Sequence, residues 1–165
     1  LADPNPVLIF EHVMLYNDVE PHDPAVTAVD INSASVRREG RDVSLVTYGG
    51  SLKKCLKAAE GLAADGIEAE VIDLRVLRPL DEATILASVR KTRRCVIVDE
   101  GWRTGSLAAE IGMRIAESAF FDLDAPLRRV CTAEVPIPYA APMEDAALPS
   151  VAAIVETARA LMGRR

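Results

Sequence analysis

The sequence predicts an α/β protein, a three-layer α/β/α sandwich built around a mostly parallel sheet of about five strands. Two observations lead to this prediction. Short apolar segments at 43–48, 69–74, 94–99 and 127–132 alternate with segments whose apolar residues recur every three or four positions. The segment at 94–99 is almost continuously apolar, which is typical of a central strand covered on both faces.

The predicted helices follow from apolar stripes and from residues that start or stop a helix. The first begins after a glycine pair, with Ser51 as its expected N-cap, and Asp65-Gly66 closes it. Asp81 is the expected N-cap of a second helix over residues 82–91. Two further helices are predicted over residues 106–117 and 149–162, separated by a strand and a proline-bearing loop at 135–142.

The first 32 residues differ from the rest of the chain. Residues 6–10 predict a strand, and residues 17–32 contain two prolines and four carboxylates, which is the composition of a linker. A chain that enters a strand so soon indicates a piece of a longer protein. We therefore predict two parts, with residues 1–32 as the end of one domain plus a linker and residues 33–165 as the main domain.

Composition narrows the function classes. The formal net charge is −6 and the basic residues are dispersed, so nucleic-acid binding is not expected. No apolar run approaches the ~20 residues that a membrane helix needs. The three cysteines, at 55, 95 and 131, form neither a CxxC pair nor a disulfide pattern, which favours a reducing compartment such as the bacterial cytoplasm or the mitochondrial matrix.

Histidine-based chemistry has few candidates, because the only histidines are His12 and His22. His12 follows Glu11 in the predicted strand, where neighbours point to opposite faces, so these two cannot form a dyad. A structural or interface role for His12 is favoured over a role as proton donor. His22 lies in the predicted linker and is expected to be solvated.

Other polar segments have two interpretations each. The Gly49–Ser51 turn could hold a phosphate on backbone N–H groups, but a tight turn with a cap explains it better. Trp102, at the carboxyl end of the predicted central strand, could be a ligand platform, but a subunit contact is favoured.

Arg75 and Arg78 could bind an anion, but ion pairs with a neighbouring domain are favoured. Nothing assembles a nucleophile, a base and an oxyanion site.

A series of short motifs runs along nearly the whole chain. They are Asn5-Pro6, Phe10-Glu11-His12, Leu15-Tyr16, Gly40-Arg41-Asp42-Val43, Val46-Thr47-Tyr48-Gly49, Asp73-Leu74-Arg75, Arg78-Pro79-Leu80-Asp81, Glu100-Gly101-Trp102, Phe121-Asp122-Leu123-Asp124-Ala125-Pro126, Arg129-Val130 and Val135-Pro136-Ile137-Pro138-Tyr139-Ala140. Each motif is weak alone, but their collinear order is specific. By these motifs the chain, from residue 5 onward, resembles the β subunit of the E1 component of pyruvate and branched-chain 2-oxoacid dehydrogenases.

The resemblance implies that residues 33–165 form a transketolase C-terminal-like domain, preceded by the last strand of a pyrimidine-binding domain. The parent enzyme would oxidatively decarboxylate pyruvate or a related 2-oxoacid and acylate lipoamide. Its thiamine diphosphate and Mg²⁺ would be bound outside this chain, which lacks the Gly-Asp-Gly motif. No catalytic, cofactor-binding or metal-binding residue is therefore expected here, and the chain alone is expected to be inactive.

The resemblance also implies protein partners. These are the E1 α subunit or domain, a second β subunit, and the subunit-binding domain of the dihydrolipoyl acyltransferase. Asp124 is the expected docking carboxylate with Met162 nearby, and Trp102 and Tyr139 are further expected contacts. A simple turn role for Asp124 stays open, and the basic end at 163–165 departs from the family's acidic docking pattern.

Alternatives to this reading also stay open. One is an acetoin dehydrogenase β subunit or another transketolase-family enzyme. The other, from a different class, is a free-standing α/β ligand-binding module that uses the Gly49–Ser51 turn.

Overall fold

A computed structural model describes residues 4–6, 8–17, 19, 24–25, 30 and 32–163, and a five-stranded sheet lies at its centre. The strands are β1 (Ser35–Arg38), β2 (Val43–Thr47), β3 (Ala69–Asp73), β4 (Cys95–Trp102) and β5 (Arg128–Thr132). Their order is β1-β3-β2-β4-β5, in which only the β1–β3 pairing is antiparallel. The predicted mostly parallel sheet is confirmed.

Helices cover both faces of the sheet, which confirms the predicted three layers. They are α1 (Ser51–Ala64), α2 (Glu82–Thr92), α3 (Leu107–Ala119), α4 (Ala141–Ala147) and α5 (Val151–Met162). Helices α1 and α5 share one apolar core with alternate strand residues, and α2 and α3 share the other. Every residue of β2 and β3 is buried, as expected for strands covered on both faces. No described helix combines the length and apolar character needed to cross a bilayer.

The caps of the first two helices follow different rules. Asp81 caps α2 as predicted, since its carboxylate accepts the Thr84 N–H at 3.0 Å, and it also accepts the Ala34 N–H at 2.9 Å. The prediction for Ser51 is wrong because α1 already begins there, with Gly50 as the N-cap. Gly49 takes a φ of 58°, so the glycine pair makes the tight turn by itself.

The leading segment does not form the predicted strand. Residues 6 and 8–10 are irregular, and Val7 lies outside the described residues. Leu8, Ile9 and Phe10 are exposed, and no described strand lies beside them to complete a hydrogen-bonded ladder. The described residues of the predicted linker, 17–32, contain no helix or strand, and His22 is outside them.

Among the described strands and α-helices, two short elements were not predicted. Strand β1 is a four-residue edge strand of mixed polarity, without the alternation that marks a half-buried strand. Helix α4 begins where a loop was predicted, and a proline in its first turn suits a helix start. Both elements are too short for a periodic pattern to show.

The parallel strands give the sheet two edges with different loops. At the carboxyl edge lie the turn before α1, the segment after β4 and the segment after β5. At the amino edge lie the residues just before β4 and β5, together with the ends of α1 and α5. There Arg159 of α5 donates to Asp65 after α1, at 2.7 Å.

Candidate functional site

A polar cluster at the carboxyl edge joins the leading segment to the domain. The Nε2 atom of His12 lies 3.0 Å from Oε2 of Glu100, and Nζ of Lys54 lies 3.5 Å from the other carboxylate oxygen. A Cβ on Gly50 would fall 2.6 Å from the His12 ring, so the imidazole can approach only because residue 50 is glycine. Sequence reasoning missed Glu100 as the partner of His12.

Glu11 and His12 do not pair with each other, in agreement with the prediction. The Glu11 carboxylate instead accepts the Tyr16 hydroxyl at 2.6 Å, and this contact raises the pKa of Tyr16. A histidine bound to a distant carboxylate through one nitrogen supports the structural role favoured from the sequence. Its Nδ1 atom is buried and has no hydrogen-bond partner among the described residues.

The turn before α1 is poorly suited to an anion. Oε1 of Glu100 lies 3.1 Å from the position that a Cβ on Gly50 would take, so a carboxylate already faces the start of this helix. Negative charge at a helix N-terminus is favourable, but a phosphate placed there would meet Glu100 at close range. The geometry therefore disfavours the phosphate interpretation of Gly49–Ser51.

Asp99 is a buried carboxylate whose oxygens are fully engaged. It is 1% exposed and accepts hydrogen bonds from the Tyr48 hydroxyl at 2.7 Å, from Gly101 N at 2.7 Å and from Ala108 N at 3.0 Å. Burial of the Tyr48 side chain and its hydrogen bond to Asp99 raise the pKa of the Tyr48 hydroxyl. Asp99 thus fixes the start of α3 against the end of β4, which is a structural role.

The carboxyl edge also presents exposed apolar side chains. We call the large exposed apolar residues at the end of β4 and after β5 the carboxyl-edge surface. Trp102 is 48% exposed and Tyr139 is fully exposed. Exposed apolar groups of this size are typical of protein contacts. The members of the carboxyl-edge surface are Trp102, Val135, Ile137, Tyr139 and Met143.

Asp124 lies at the opposite edge of the sheet, in an ion pair. Its Oδ1 atom is 2.9 Å from Nη2 of Arg93, and its Oδ2 atom is 4.0 Å from Nη2 of Arg94. The hydrogen bond from Arg93 holds the pKa of Asp124 below its ordinary value. A second pair, Arg90 with Asp122 at 3.2 Å, lies on the same side of the molecule.

Two aromatic rings stand beside these charges. Phe120 and Phe121 pack edge to face with centroids 5.3 Å apart, and Phe121 is 94% exposed. An exposed aromatic pair flanked by charged groups resembles the centre and rim of a protein interface. We call this group the amino-edge surface, formed by Arg90, Arg93, Arg94, Phe120, Phe121, Asp122 and Asp124.

The four predicted partner-binding residues divide between the two edges. Asp124 belongs to the amino-edge surface, and α5 runs back to that edge, where Met162 ends it half-buried. Trp102 and Tyr139 belong to the carboxyl-edge surface. A single partner of ordinary interface size is not expected to contact residues at both edges.

Arg75 has a role inside the chain. Its guanidinium donates twice to the carbonyl of Ser33, at 3.1 and 2.6 Å, and holds the entry to β1. Arg78, which was predicted together with it, is exposed. The Arg75 guanidinium is therefore already engaged by a backbone carbonyl of its own chain.

The described residues do not fit a magnesium–diphosphate site. Among them there is no group of three or more His, Cys, Asp or Glu side chains arranged to hold a metal ion. Buried Cys55 and Cys95 both have a pKa raised to about 12, because burial disfavours the thiolate that would bind a metal.

The sheet order and the helices on both faces define an α/β domain of the transketolase type. The family model described as "Transketolase, C-terminal domain" matches residues 32–154, and the chain belongs to this family. A solved split-gene transketolase, described as an inactive β4 tetramer, superimposes with a TM-score of 0.74 at 26% identity, covering 89% of this chain and 48% of that one.

Within this family the chain is similar to E1 β subunits, which confirms the resemblance seen in its motifs. It is 45% identical over 163 residues to the mitochondrial pyruvate dehydrogenase E1 component subunit β-1 of Arabidopsis thaliana, covering 96% of this chain and 45% of that protein. It is 40% identical over 162 residues to the β subunit of the acetoin:2,6-dichlorophenolindophenol oxidoreductase of Cupriavidus necator, covering 98% and 48%. The chain spans less than half the length of these relatives.

Proposed function

We propose that this chain is the assembly and docking domain of the β subunit of a thiamine-diphosphate-dependent 2-oxoacid dehydrogenase. The parent enzyme would decarboxylate pyruvate or a related 2-oxoacid and pass the acyl group to lipoamide. One observation carries the proposal. Exposed apolar side chains cluster at both edges of the sheet, while the described residues assemble neither a catalytic group nor a metal site.

The amino-edge surface is the proposed docking site for the subunit-binding domain of the dihydrolipoyl acyltransferase. Asp124 supplies a carboxylate for a basic partner, and Phe121 supplies exposed apolar area beside it. Interface energy is concentrated in such aromatic anchors, while surrounding charges set orientation and specificity. Met162 would lie at the margin of this contact.

The carboxyl-edge surface is the proposed contact with the E1 α subunit or domain and with a second β subunit. Trp102 and Tyr139 are the expected anchors, since large aromatic side chains are favoured in such contacts. The description of the solved relative as a β4 tetramer supports association between chains of this type.

The coenzyme belongs to the parent enzyme in this proposal. Thiamine diphosphate and Mg²⁺ would be held by parts of the enzyme outside these residues, and residues 1–32 would link this domain to the preceding one. The chain alone would then show no decarboxylation of pyruvate when given coenzyme and magnesium. Turnover by the purified chain under those conditions would refute the proposal.

Docking is tested with the subunit-binding domain of the source organism's own acyltransferase, immobilised and titrated with the chain at fixed salt. Asp124→Asn should weaken capture by about tenfold, because it removes the carboxylate charge without changing shape. Asp122→Asn, which alters the neighbouring ion pair, is the matched control and should change capture less. Equal affinity of Asp124→Asn and the unchanged chain would refute the assignment.

An acetoin-type enzyme is the second candidate, favoured by 40% identity to an acetoin oxidoreductase β subunit over 98% of this chain. The two candidates differ in substrate, so rates of the intact parent enzyme with pyruvate and with acetoin separate them. A free-standing ligand-binding module is disfavoured by Glu100 at the Gly49–Ser51 turn. Calorimetry with inorganic phosphate and with ATP tests that last alternative directly.

A further inference from the structure

Arg93 occupies a backbone position that suits glycine. It is the C-cap of α2, with a φ of 60° and a ψ of 8°, in the left-handed region. An L residue with a Cβ is disfavoured there, and helices that end this way usually do so with glycine or asparagine. The αL geometry makes the helix-ending turn, and the N–H of Arg93 still bonds to the carbonyl of Val89 at 2.7 Å.

The arginine side chain at this position has a specific contact. Nη2 of Arg93 lies 2.9 Å from Oδ1 of Asp124, and the carbonyl of Arg93 accepts the Asp124 N–H at 2.9 Å. Main chain and side chain of Arg93 therefore both hold Asp124. Arg94 lies 4.0 Å from the other carboxylate oxygen. An approaching partner meets a carboxylate that two guanidinium groups already surround.

The charged side chains of the amino-edge surface carry an excess of positive charge around Asp124. Its charged members are Arg90, Arg93 and Arg94 against Asp122 and Asp124, so three positive charges face two negative ones. This excess of positive charge repels a basic partner that approaches Asp124, unless the partner displaces a guanidinium from the carboxylate or binds the carboxylate together with it. The Arg93–Asp124 pair is about half exposed, and exposed pairs contribute little to folding, so it can exchange partners easily.

We infer that Arg93 competes with the basic docking partner for Asp124 and thereby limits the affinity and sets the specificity of docking. This inference rests on the proposed function of the amino-edge surface. A carboxylate that is already paired within its own chain discriminates among partners. Only a partner with a better-placed or bidentate donor forms a stronger contact with Asp124 than the Arg93–Asp124 ion pair that it replaces. Arg93 is thus a specificity-determining residue rather than an anchor.

The test compares variants of the chain in titrations with the same acyltransferase subunit-binding domain, at low and at physiological salt. Arg93→Asn removes the charge and tolerates the left-handed conformation, and Arg93→Gly removes the charge and the Cβ. Each should raise affinity about fivefold or more, with a larger gain at low salt. Arg90→Gln, which removes a charge from the same surface without touching Asp124, is the matched control and should change affinity less. Thermal unfolding verifies that each variant is folded.

The possible results separate this inference from the proposal beneath it. If Arg93→Asn binds no better than the unchanged chain while Asp124→Asn loses binding, Arg93 does not compete and docking through Asp124 still stands. An equal gain from Arg90→Gln would also overturn the inference, because it would show only a general charge effect. If Asp124→Asn binds as tightly as the unchanged chain, the docking proposal itself fails.

Discussion

The imidazole of His12 lies 3.0 Å from the carboxylate of Glu100, although 88 residues separate them along the chain. This contact ties the leading segment to the carboxyl edge of the sheet. The neighbouring residues Leu8, Ile9 and Phe10 remain exposed, so burial of these side chains does not hold the segment in place. The His12–Glu100 contact, and the space that Gly50 leaves for the ring, contribute to the attachment instead.

Gly50→Ala tests this attachment. Gly50 has a φ of −62° and a ψ of −27°, which alanine adopts without strain, so the substitution acts through the close approach of His12. We expect a loss of about 1–2 kcal/mol in the free energy of unfolding, the usual size of local overpacking. Urea unfolding measures it.

The matched control is the same substitution in a His12→Ala chain. Without the imidazole the nearest remaining atom is Oε1 of Glu100 at 3.1 Å, at the far end of a flexible side chain that can move aside, so Gly50→Ala should then change stability by less than about 0.5 kcal/mol. Limited proteolysis of residues 8–17 should be faster in both His12→Ala chains. Equal losses of stability in the two backgrounds would show that His12 does not lie against Gly50.

Asp81 makes the stability of α2 dependent on pH. Burial raises the pKa of this carboxyl. Hydrogen bonds from the Thr84 side chain, the Thr84 N–H and the Ala34 N–H lower the pKa by a larger amount, so the net shift is downward. The pKa is then lower in the folded than in the unfolded state. The stabilisation is complete above the unfolded pKa of about 4 and disappears as the pH falls through the folded value.

Asp81→Ala should therefore lower the free energy of unfolding by about 1–2 kcal/mol at pH 7, the usual range for a lost cap. The difference from the unchanged chain should shrink steadily in denaturant titrations below about pH 4. A difference that stays constant down to acid pH would mean that the charged carboxylate does not carry the effect. Asp81→Asn keeps a capping oxygen and should lose less than the alanine variant.

Gly40 is required by the approach of two backbone segments. A Cβ at this position would overlap the backbone nitrogen of Glu70 and the carbonyl carbon of Ala69, and backbone cannot move aside as a flexible side chain can. Gly40→Ala should destabilise the chain by about 3 kcal/mol or more. In Gly61→Ala the nearest atom to the added Cβ is a side-chain carbon of Val155 in α5, at the ordinary van der Waals distance of 3.7 Å, so that control should be neutral or stabilising by up to about 1 kcal/mol. Comparable losses in the two variants, measured by urea unfolding, would contradict this account.

The parts of the fold that could be predicted are those whose signal is local. Strands β2 to β5 and helices α1, α2, α3 and α5 have clear periodicity, and their bounds differ from the predictions by only a few residues. Cap chemistry was predictable at Asp81, whose carboxylate accepts from the N–H of Thr84, only three residues further along the chain. It was not predictable at Ser51, because the glycine pair before it makes the turn.

The candidate site was less predictable because its contacts are long-range. Exposure of Trp102 and Tyr139 is compatible with the contact role predicted for them, and that role stays a prediction. The partners of His12 and Asp124 come from distant segments, and no local pattern indicates them. Arg93 also breaks the rule that a left-handed helix end suits glycine, so sequence reasoning gave no signal there.

The division into two surfaces can be tested with two matched aromatic truncations, Phe121→Ala and Tyr139→Ala. Both side chains are almost completely exposed, so neither truncation should alter the free energy of unfolding by more than about 0.5 kcal/mol. Phe121→Ala should weaken capture by the acyltransferase subunit-binding domain by about tenfold, as loss of an aromatic anchor does, and leave association with the E1 α subunit unchanged. Tyr139→Ala should have the reverse effect. Isothermal titration with each partner measures both affinities, and a single variant that weakens both contacts would show that the edges do not serve separate partners.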